Sequence, residues 1–418
     1  MQHIWNKQFI LSKLEGLDRW AIVSPCGREP IAHPLRKSKR KDNKMYSMDL
    51  SRLKNCMRRA VCGGELTIGF LGGSITQGSL ASEHTKTYAY RVYTWWKETF
   101  PKAKFNYVNG GIGGTTSHYG VARAEADLLM YQPDFVVVDF SVNDDADVFF
   151  QETYEGVIRK ILAWDSMPAV LLLNNVFYDT GENAQEYHNA VGKWYGVPFV
   201  SVRDTVYRRM KEGELTREEL TEDCLHPNDK GHRLVAEEII RFLEGIKAET
   251  EKENGKTQGV VLDSAWEGEK QAKVLPSPIT DNAYEHARRL TIREVSPELF
   301  GFRADAEEKM GHLDGFKNGW IGKKAGDKIV FRVEASCIAV QYRKTVQKPA
   351  LRARLILDGD REHGVVLDGN FDEDWGDCQY LQPILHHGEK KEHRVEIKIL
   401  QGGEGGTWFY LMALIIAW

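Results

Sequence analysis

The 418-residue chain contains no run of the ~20 apolar residues that a membrane helix requires. Its first residues, Met1-Gln2-His3-Ile4-Trp5-Asn6-Lys7, lack a charged segment leading into an unbroken apolar one. The expectation is therefore a cytoplasmic protein without a membrane partner. Basic charge is not in excess either: Lys plus Arg number 56 and Asp plus Glu number 60, a net charge of −4. Without a global positive field, nucleic acid is excluded as the expected partner. The short basic run Arg36-Lys37-Ser38-Lys39-Arg40-Lys41 reads as a solvated loop. Six cysteines (Cys26, Cys56, Cys62, Cys224, Cys337 and Cys378) show no C-x-x-C or other metal spacing and are too few for a disulfide scaffold, which fits a reducing compartment. No internal repeat is present. What the chain has in quantity is aromatic residues, 11 Trp, 16 Tyr and 17 Phe, flat faces that fill cores or stack on sugar rings.

At about 100 to 200 residues per domain, this length predicts two or three domains. Residues 1–60 read as an N-terminal extension packed on the next domain. Within it Leu50, Leu53 and Met57 form an amphipathic helix capped by Asp49 or Ser47. Over 61–247 short apolar runs alternate with helical stretches. Strands are expected at 66–71, 105–108, 135–140, 169–173 and 198–202, with helices at 88–100, 121–131, 154–164, 184–195 and 230–244. That alternation implies βαβ units and a parallel sheet with helices on both faces, a three-layer α/β/α domain. Residues 248–275, polar with a kink at Glu253-Asn254-Gly255-Lys256, read as a linker. Residues 276–418 alternate with period two (Ile329, Phe331, Val333; Leu351, Ala353, Leu355, Leu357; Val395, Ile397, Ile399) and predict an all-β sandwich.

Four strand-end or loop motifs carry chemistry. Phe70-Leu71-Gly72-Gly73-Ser74-Ile75-Thr76-Gln77-Gly78 places a serine at the end of an apolar strand, where a parallel sheet presents a nucleophile. It is neither the G-x-S-x-G elbow nor a P-loop, since Thr76 replaces the last glycine and no lysine follows. Alone, it is equally a glycine-rich structural turn. A serine needs a base oriented by an acid, and Asp223-Cys224-Leu225-His226-Pro227 supplies both, on a loop that Pro227 keeps from becoming helical. Val108-Asn109-Gly110-Gly111-Ile112-Gly113-Gly114 is a loop in which glycine lets backbone N–H groups turn outward to an oxyanion. Finally, Asp139-Phe140-Ser141-Val142-Asn143-Asp144 offers an asparagine amide as a further donor.

Taken in chain order, Gly-Gly-Ser74, then Asn109 to Gly114, then Ser-Val-Asn143-Asp144, then Asp223-x-x-His226-Pro227, the motifs resemble the four blocks of the SGNH (GDSL-type) hydrolases, esterases on a flavodoxin-like sheet. The resemblance covers roughly 66–243. It implies Ser74 as nucleophile, Asp223 and His226 as its partners, and an oxyanion hole formed by the N–H groups of Ser74 and Gly114 and the amide of Asn143. The reaction implied needs no cofactor. Gly-Gly-Ser-Ile replaces the family's Gly-Asp-Ser-Leu, and Ser141 replaces a glycine; neither change removes a functional group.

The C-terminal half contributes an acidic aromatic loop, Asp368-Gly369-Asn370-Phe371-Asp372-Glu373-Asp374-Trp375-Gly376-Asp377. Trp375 can stack on a pyranose while Asp374 bonds hydroxyls, although a tryptophan packed between domains would read the same. Asp368-x-Asn370-x-Asp372 also hints at calcium, but Glu373 and Gln379 stand where a calcium loop needs glycine and glutamate. His386-His387 lacks a partner at metal spacing and reads as a polar turn. The domain order is similar to that of the acetyl-mannan esterases of carbohydrate esterase family 17, whose second domain, a jelly roll, is similar to carbohydrate-binding module family 35. This implies an acetylated manno-oligosaccharide as partner, deacetylated at mannose 2-O. The alternatives are an acetylxylan esterase, a lipase or thioesterase, and a non-catalytic carbohydrate-binding protein; a homo-oligomer is left open.

Overall fold

A computed structural model describes residues 48–256, 274–401 and 407–418. The basic run, Cys26 and most of the expected N-terminal extension and linker lie outside these residues. Strand β1 (Glu65–Gly72) is buried along seven of its eight positions, as a central strand covered on both faces must be. It pairs in parallel with β2 (Lys104–Gly111) and β3 (Phe135–Asp139), and the sheet continues through β4 (Ala169–Asn174) to β5 (Phe199–Ser201) in the order β2-β1-β3-β4-β5. That is the flavodoxin-like doubly wound order.

Side chains alternate across the sheet. Ile68, Phe70, Val137 and Leu171 pack against α1 (Ser51–Val61), α3 (Tyr88–Thr99) and α8 (Asp229–Lys256). Leu71, Val136, Val138 and Leu172 face the opposite layer, α4 (Ser117–Asp127), α5 (Val148–Leu162) and α6 (Gln185–Tyr195). Two short helices complete this half: α2 (Ser74–Gln77) follows β1, and α7 (Arg208–Lys211) follows β5.

Two local expectations need correction. Helix α8 runs through Lys256, so the first residues of the expected linker are helical and Gly255 makes no kink. The helix continues because it still has a partner: Ile246 and Thr250 are buried, and Glu253 pairs with Lys54 at 2.6 Å and Arg58 at 3.0 Å on α1. Helix α1 starts at Ser51 with Leu50, not Asp49, in the N-cap position and no side-chain cap there; Asp49, one residue further out, accepts from the Ser51 N–H at 3.1 Å, and Ser47 lies outside the described residues.

The C-terminal half is an antiparallel sandwich. Its strands are β6 (Arg288–Leu290), β7 (Glu298–Phe300), β8 (Arg303–Ala304), β9 (Trp320–Gly322), β10 (Lys328–Ala335), β11 (Cys337–Lys344), β12 (Arg352–Leu357), β13 (Val365–Asp368), β14 (Cys378–Leu385), β15 (Lys391–Gln401) and β16 (Phe409–Ala417). One sheet has the order β13-β12-β15-β10-β7 and the other β14-β11-β16-β9-β8, with β6 beside β16. The period-two positions Ile329, Phe331, Val333, Ile397 and Ile399 lie in the core between them.

The halves share apolar surface: Tyr284, Ala287, Cys337 and Ala417 belong to the same buried cluster as Phe149, Tyr154 and Val157 of α5. Residues 279–287 are strapped along α5 by acids buried for that purpose. Glu155 accepts from the N–H groups of Ile279 at 2.8 Å and Thr280 at 2.9 Å, and Glu152 from that of Ala283 at 2.8 Å. Arg159 pairs with Glu285 at 2.7 Å. Gly156 allows the close approach, since a β-carbon there would lie 3.0 Å from the Tyr284 carbonyl carbon. Among the described residues no helix is long and apolar enough to cross a membrane.

Candidate active site

Because β2, β1 and β3 are neighbours, the loops leaving their carboxyl ends converge, where open parallel sheets hold their ligands. Ser74 opens α2 directly after β1 and is 8% exposed. Gly72 and Gly73 are required by crowding. A β-carbon at Gly72 would meet the Thr76 hydroxyl at 2.3 Å, and one at Gly73 the Asn143 amide oxygen at 2.2 Å. The Asn143 side chain therefore lies directly over the residue preceding Ser74. A β-carbon at Gly113 would be 3.6 Å from that of Ser74, so the loop after β2 also borders the serine.

The fourth motif reaches Ser74 from the loop before α8. Thr221 and Pro227 bridge its base in antiparallel fashion, and Cys224 takes a left-handed φ of 73° at its tip. This fold-back puts Asp223 and His226 on one side. His226 Nε2 lies 2.7 Å from Ser74 Oγ, and His226 Nδ1 lies 2.6 Å from Asp223 Oδ2. The second carboxylate oxygen of Asp223 accepts from the backbone N–H groups of His226 at 2.7 Å and Leu225 at 3.0 Å. Burial pushes the Asp223 carboxyl upward, but the hydrogen bond and charge of His226 and these N–H donors outweigh it and hold it down at about 2. Asp223 is thus ionised at neutral pH and must accept from Nδ1–H, which leaves the Nε2 lone pair facing the serine hydroxyl.

Several supporting residues escaped the sequence reading. Asp144, beside Asn143, accepts from the Ser117 N–H at 2.8 Å and bonds His188 Nε2 at 3.1 Å, which ties the loop after β3 to the start of α4. Ser141, the departure from the usual glycine, donates to the Asn175 carbonyl at 3.0 Å. Arg123, 2% exposed, reaches from α4 to the carbonyls of Gly72 (2.9 Å) and Gly110 (2.5 Å), joining the ends of β1 and β2. Behind α2, Asp139 accepts from Thr76 at 3.0 Å and Asn175 at 2.9 Å; complete burial raises its pKa to about 7. His232 accepts from the Tyr88 N–H at Nδ1 and lies 3.2 Å from the Ser79 carbonyl at Nε2; burial lowers its pKa to about 4, so it is a neutral strut.

The sandwich comes to the same place. Trp375 Cη2 is 3.4 Å from where a β-carbon of Gly114 would stand, and Gly114 has the left-handed φ of +67° that admits glycine readily. The indole is 54% exposed, stands edge-on to Phe371 at 5.0 Å and donates to Glu373 at 2.5 Å. Asp374 is exposed, and Glu373, not Asp374, orients the ring. His312 also lies 3.3 Å from the Gly111 carbonyl. The residues considered for calcium diverge instead of converging. Asp368 accepts from Asn370 at 2.7 Å and lies 3.3 Å from Arg352, whereas Asp372 is fully exposed 3.7 Å from Lys348. The carboxylates are already turned to separate partners.

Residues 70–234 match the GDSL-like Lipase/Acylhydrolase family. A solved two-domain esterase (CEX) active on acetylated mannans superposes with a TM-score of 0.82 and 47% sequence identity, over 89% of this chain and 96% of that one. The chain belongs to the GDSL-like hydrolases. This GDSL-like hydrolase is a carboxylic ester hydrolase and is also similar to the acetylxylan esterase of Geobacillus stearothermophilus, at 25% identity over 205 residues, 42% of this chain and 92% of that protein. A further relative is thioesterase 1/protease 1/lysophospholipase L1 of Escherichia coli (strain K12), 26% identical over 153 residues, 35% of the hydrolase and 70% of the relative.

Proposed function

We propose that the protein is a carbohydrate O-acetylesterase that removes 2-O-acetyl groups from mannose in acetylated manno-oligosaccharides. The reading is carried by the seat of Trp375 on Gly114, which sets a sugar-stacking face of the sandwich at the edge of the ester site. It is supported by the similarity of both halves to an esterase active on acetylated mannans.

Ser74 is the nucleophile in this account. As its oxygen attacks the acetyl carbonyl, its proton passes to His226 Nε2, 2.7 Å away. Asp223 fixes the imidazole tautomer and stabilises the imidazolium, and it stays ionised throughout. The carbonyl oxygen gathers negative charge among the N–H groups of Ser74 and Gly114 and the Asn143 amide in this account. Collapse of this intermediate expels the sugar hydroxyl, which takes the proton from His226. Water, deprotonated by the same histidine, then attacks the acetyl-serine, and acetate leaves with Ser74 restored.

Acetate release from acetylated manno- and xylo-oligosaccharides at equal acetyl concentration tests the substrate class. The proposal expects higher kcat/KM on the mannose series, and equal or reversed values would return the protein to the acetylxylan or general-esterase reading.

A further inference from the structure

Residues 386 and 387, at the turn after β14, meet a buried acid of α5 that lies far away in sequence. Glu152 Oε2 is 2.9 Å from His387 Nε2 and 3.9 Å from His386 Nε2, and the three potential ligand atoms all lie within 4.8 Å of one another. We propose that Glu152, His386 and His387 bind a zinc-type divalent cation that ties the sandwich to α5.

The donor set and its geometry both favour zinc. Two imidazoles and one carboxylate form a borderline set suited to zinc and its neighbours rather than to calcium or magnesium. In a tetrahedral zinc site, bonds of 2.0 to 2.1 Å place neighbouring donors about 3.3 Å apart. The two separations from Glu152 Oε2, 2.9 Å and 3.9 Å, lie on either side of that spacing.

The remaining atoms of the ligands are already committed in the sense that metal binding needs. Glu152 Oε1 holds the Ala283 N–H at 2.8 Å, which leaves Oε2 for the ion. His386 Nδ1 bonds the Tyr284 hydroxyl at 2.8 Å, which fixes the ring and turns Nε2 toward Glu152, the outer contact that metal-bound histidines characteristically make. The His387 backbone holds a left-handed φ of 52°, and its N–H lies 3.4 Å from Cys337 Sγ. The His387 side chain is 35% exposed, an entry path for the ion and room for a water as fourth ligand.

The test uses the full chain stripped with chelator and titrated with ZnCl2 by calorimetry, with metal content measured after dialysis. One zinc per chain is expected, with a rise in melting temperature. His386→Gln and His387→Gln should each weaken binding at least tenfold, and Tyr284→Phe less, whereas Ser74→Ala should bind as the unaltered chain does. Retention of the near-UV circular dichroism and of aryl-acetate hydrolysis shows that the histidine variants are folded. No stoichiometric binding by the unaltered chain, or equal binding by the double histidine variant, would overturn the proposal.

Discussion

Trp375 rests its indole edge 3.4 Å from the β-carbon position of Gly114, so a loop of the sandwich borders the loop assigned to the oxyanion. The same contact separates two effects that are normally entangled, sugar positioning and carbonyl activation. Trp375→Ala should raise KM for acetylated manno-oligosaccharides about tenfold, the loss of one ring-stacking contact, while leaving aryl-acetate hydrolysis unchanged. Gly114→Ala, which forces a side chain onto a left-handed backbone, should depress both reactions. Steady-state kinetics on the two substrates distinguishes these patterns.

Asp223→Asn tests the tautomer argument. The amide oxygen can still accept from the backbone N–H groups of His226 and Leu225, so the loop should keep its shape. The amide nitrogen would then face Nδ1 and drive the proton to Nε2, the wrong side of the ring for a base. A loss of kcat on the order of 10⁴-fold with unchanged melting temperature is expected.

Asn143→Ala removes a side-chain donor and leaves Gly73 uncrowded. Turnover should fall on the order of 100-fold or more, about 3 to 4 kcal/mol of barrier, with circular dichroism unaltered. A variant with near-normal turnover would remove Asn143 from the oxyanion site.

Asp139 makes stability pH-dependent in a direction unusual for a carboxylate. Its pKa is about 7 in the folded chain against the ordinary 3.8, so the folded state binds the proton more tightly across that interval. Stability should therefore decline as pH rises from 3.8 toward 7, with the loss complete above 7 and on the order of 4 kcal/mol. Asp139→Asn should flatten this part of the profile in urea denaturation from pH 5 to 8, because the amide oxygen can keep the bonds from Thr76 and Asn175.

The sheet and the residues proposed to react were legible because each is written locally. Ser74 ends an apolar strand, Asn143 follows another, and Asp223 precedes His226 by one turn of loop. Their supports are not local. Arg123 acts on carbonyls 13 and 51 residues away, and Glu152 meets His387 across 235 positions, so a polar turn and a helical acid gave no sign of each other. Helix α8 outran its expected end because Glu253 finds Lys54 and Arg58 on α1. Asp368, Asn370 and Asp372 had a suggestive spacing, but calcium needs convergence, and the backbone turns these side chains toward different partners.

The most direct test is proton NMR of acetylated manno-oligosaccharides during hydrolysis, with Ser74→Ala in parallel. The account predicts that mannose 2-O-acetyl signals disappear first as free acetate grows, and that the variant leaves the spectrum unchanged. Undiminished acetate release by Ser74→Ala would contradict the nucleophile assignment, and an untouched 2-O signal with the unaltered enzyme would contradict the substrate.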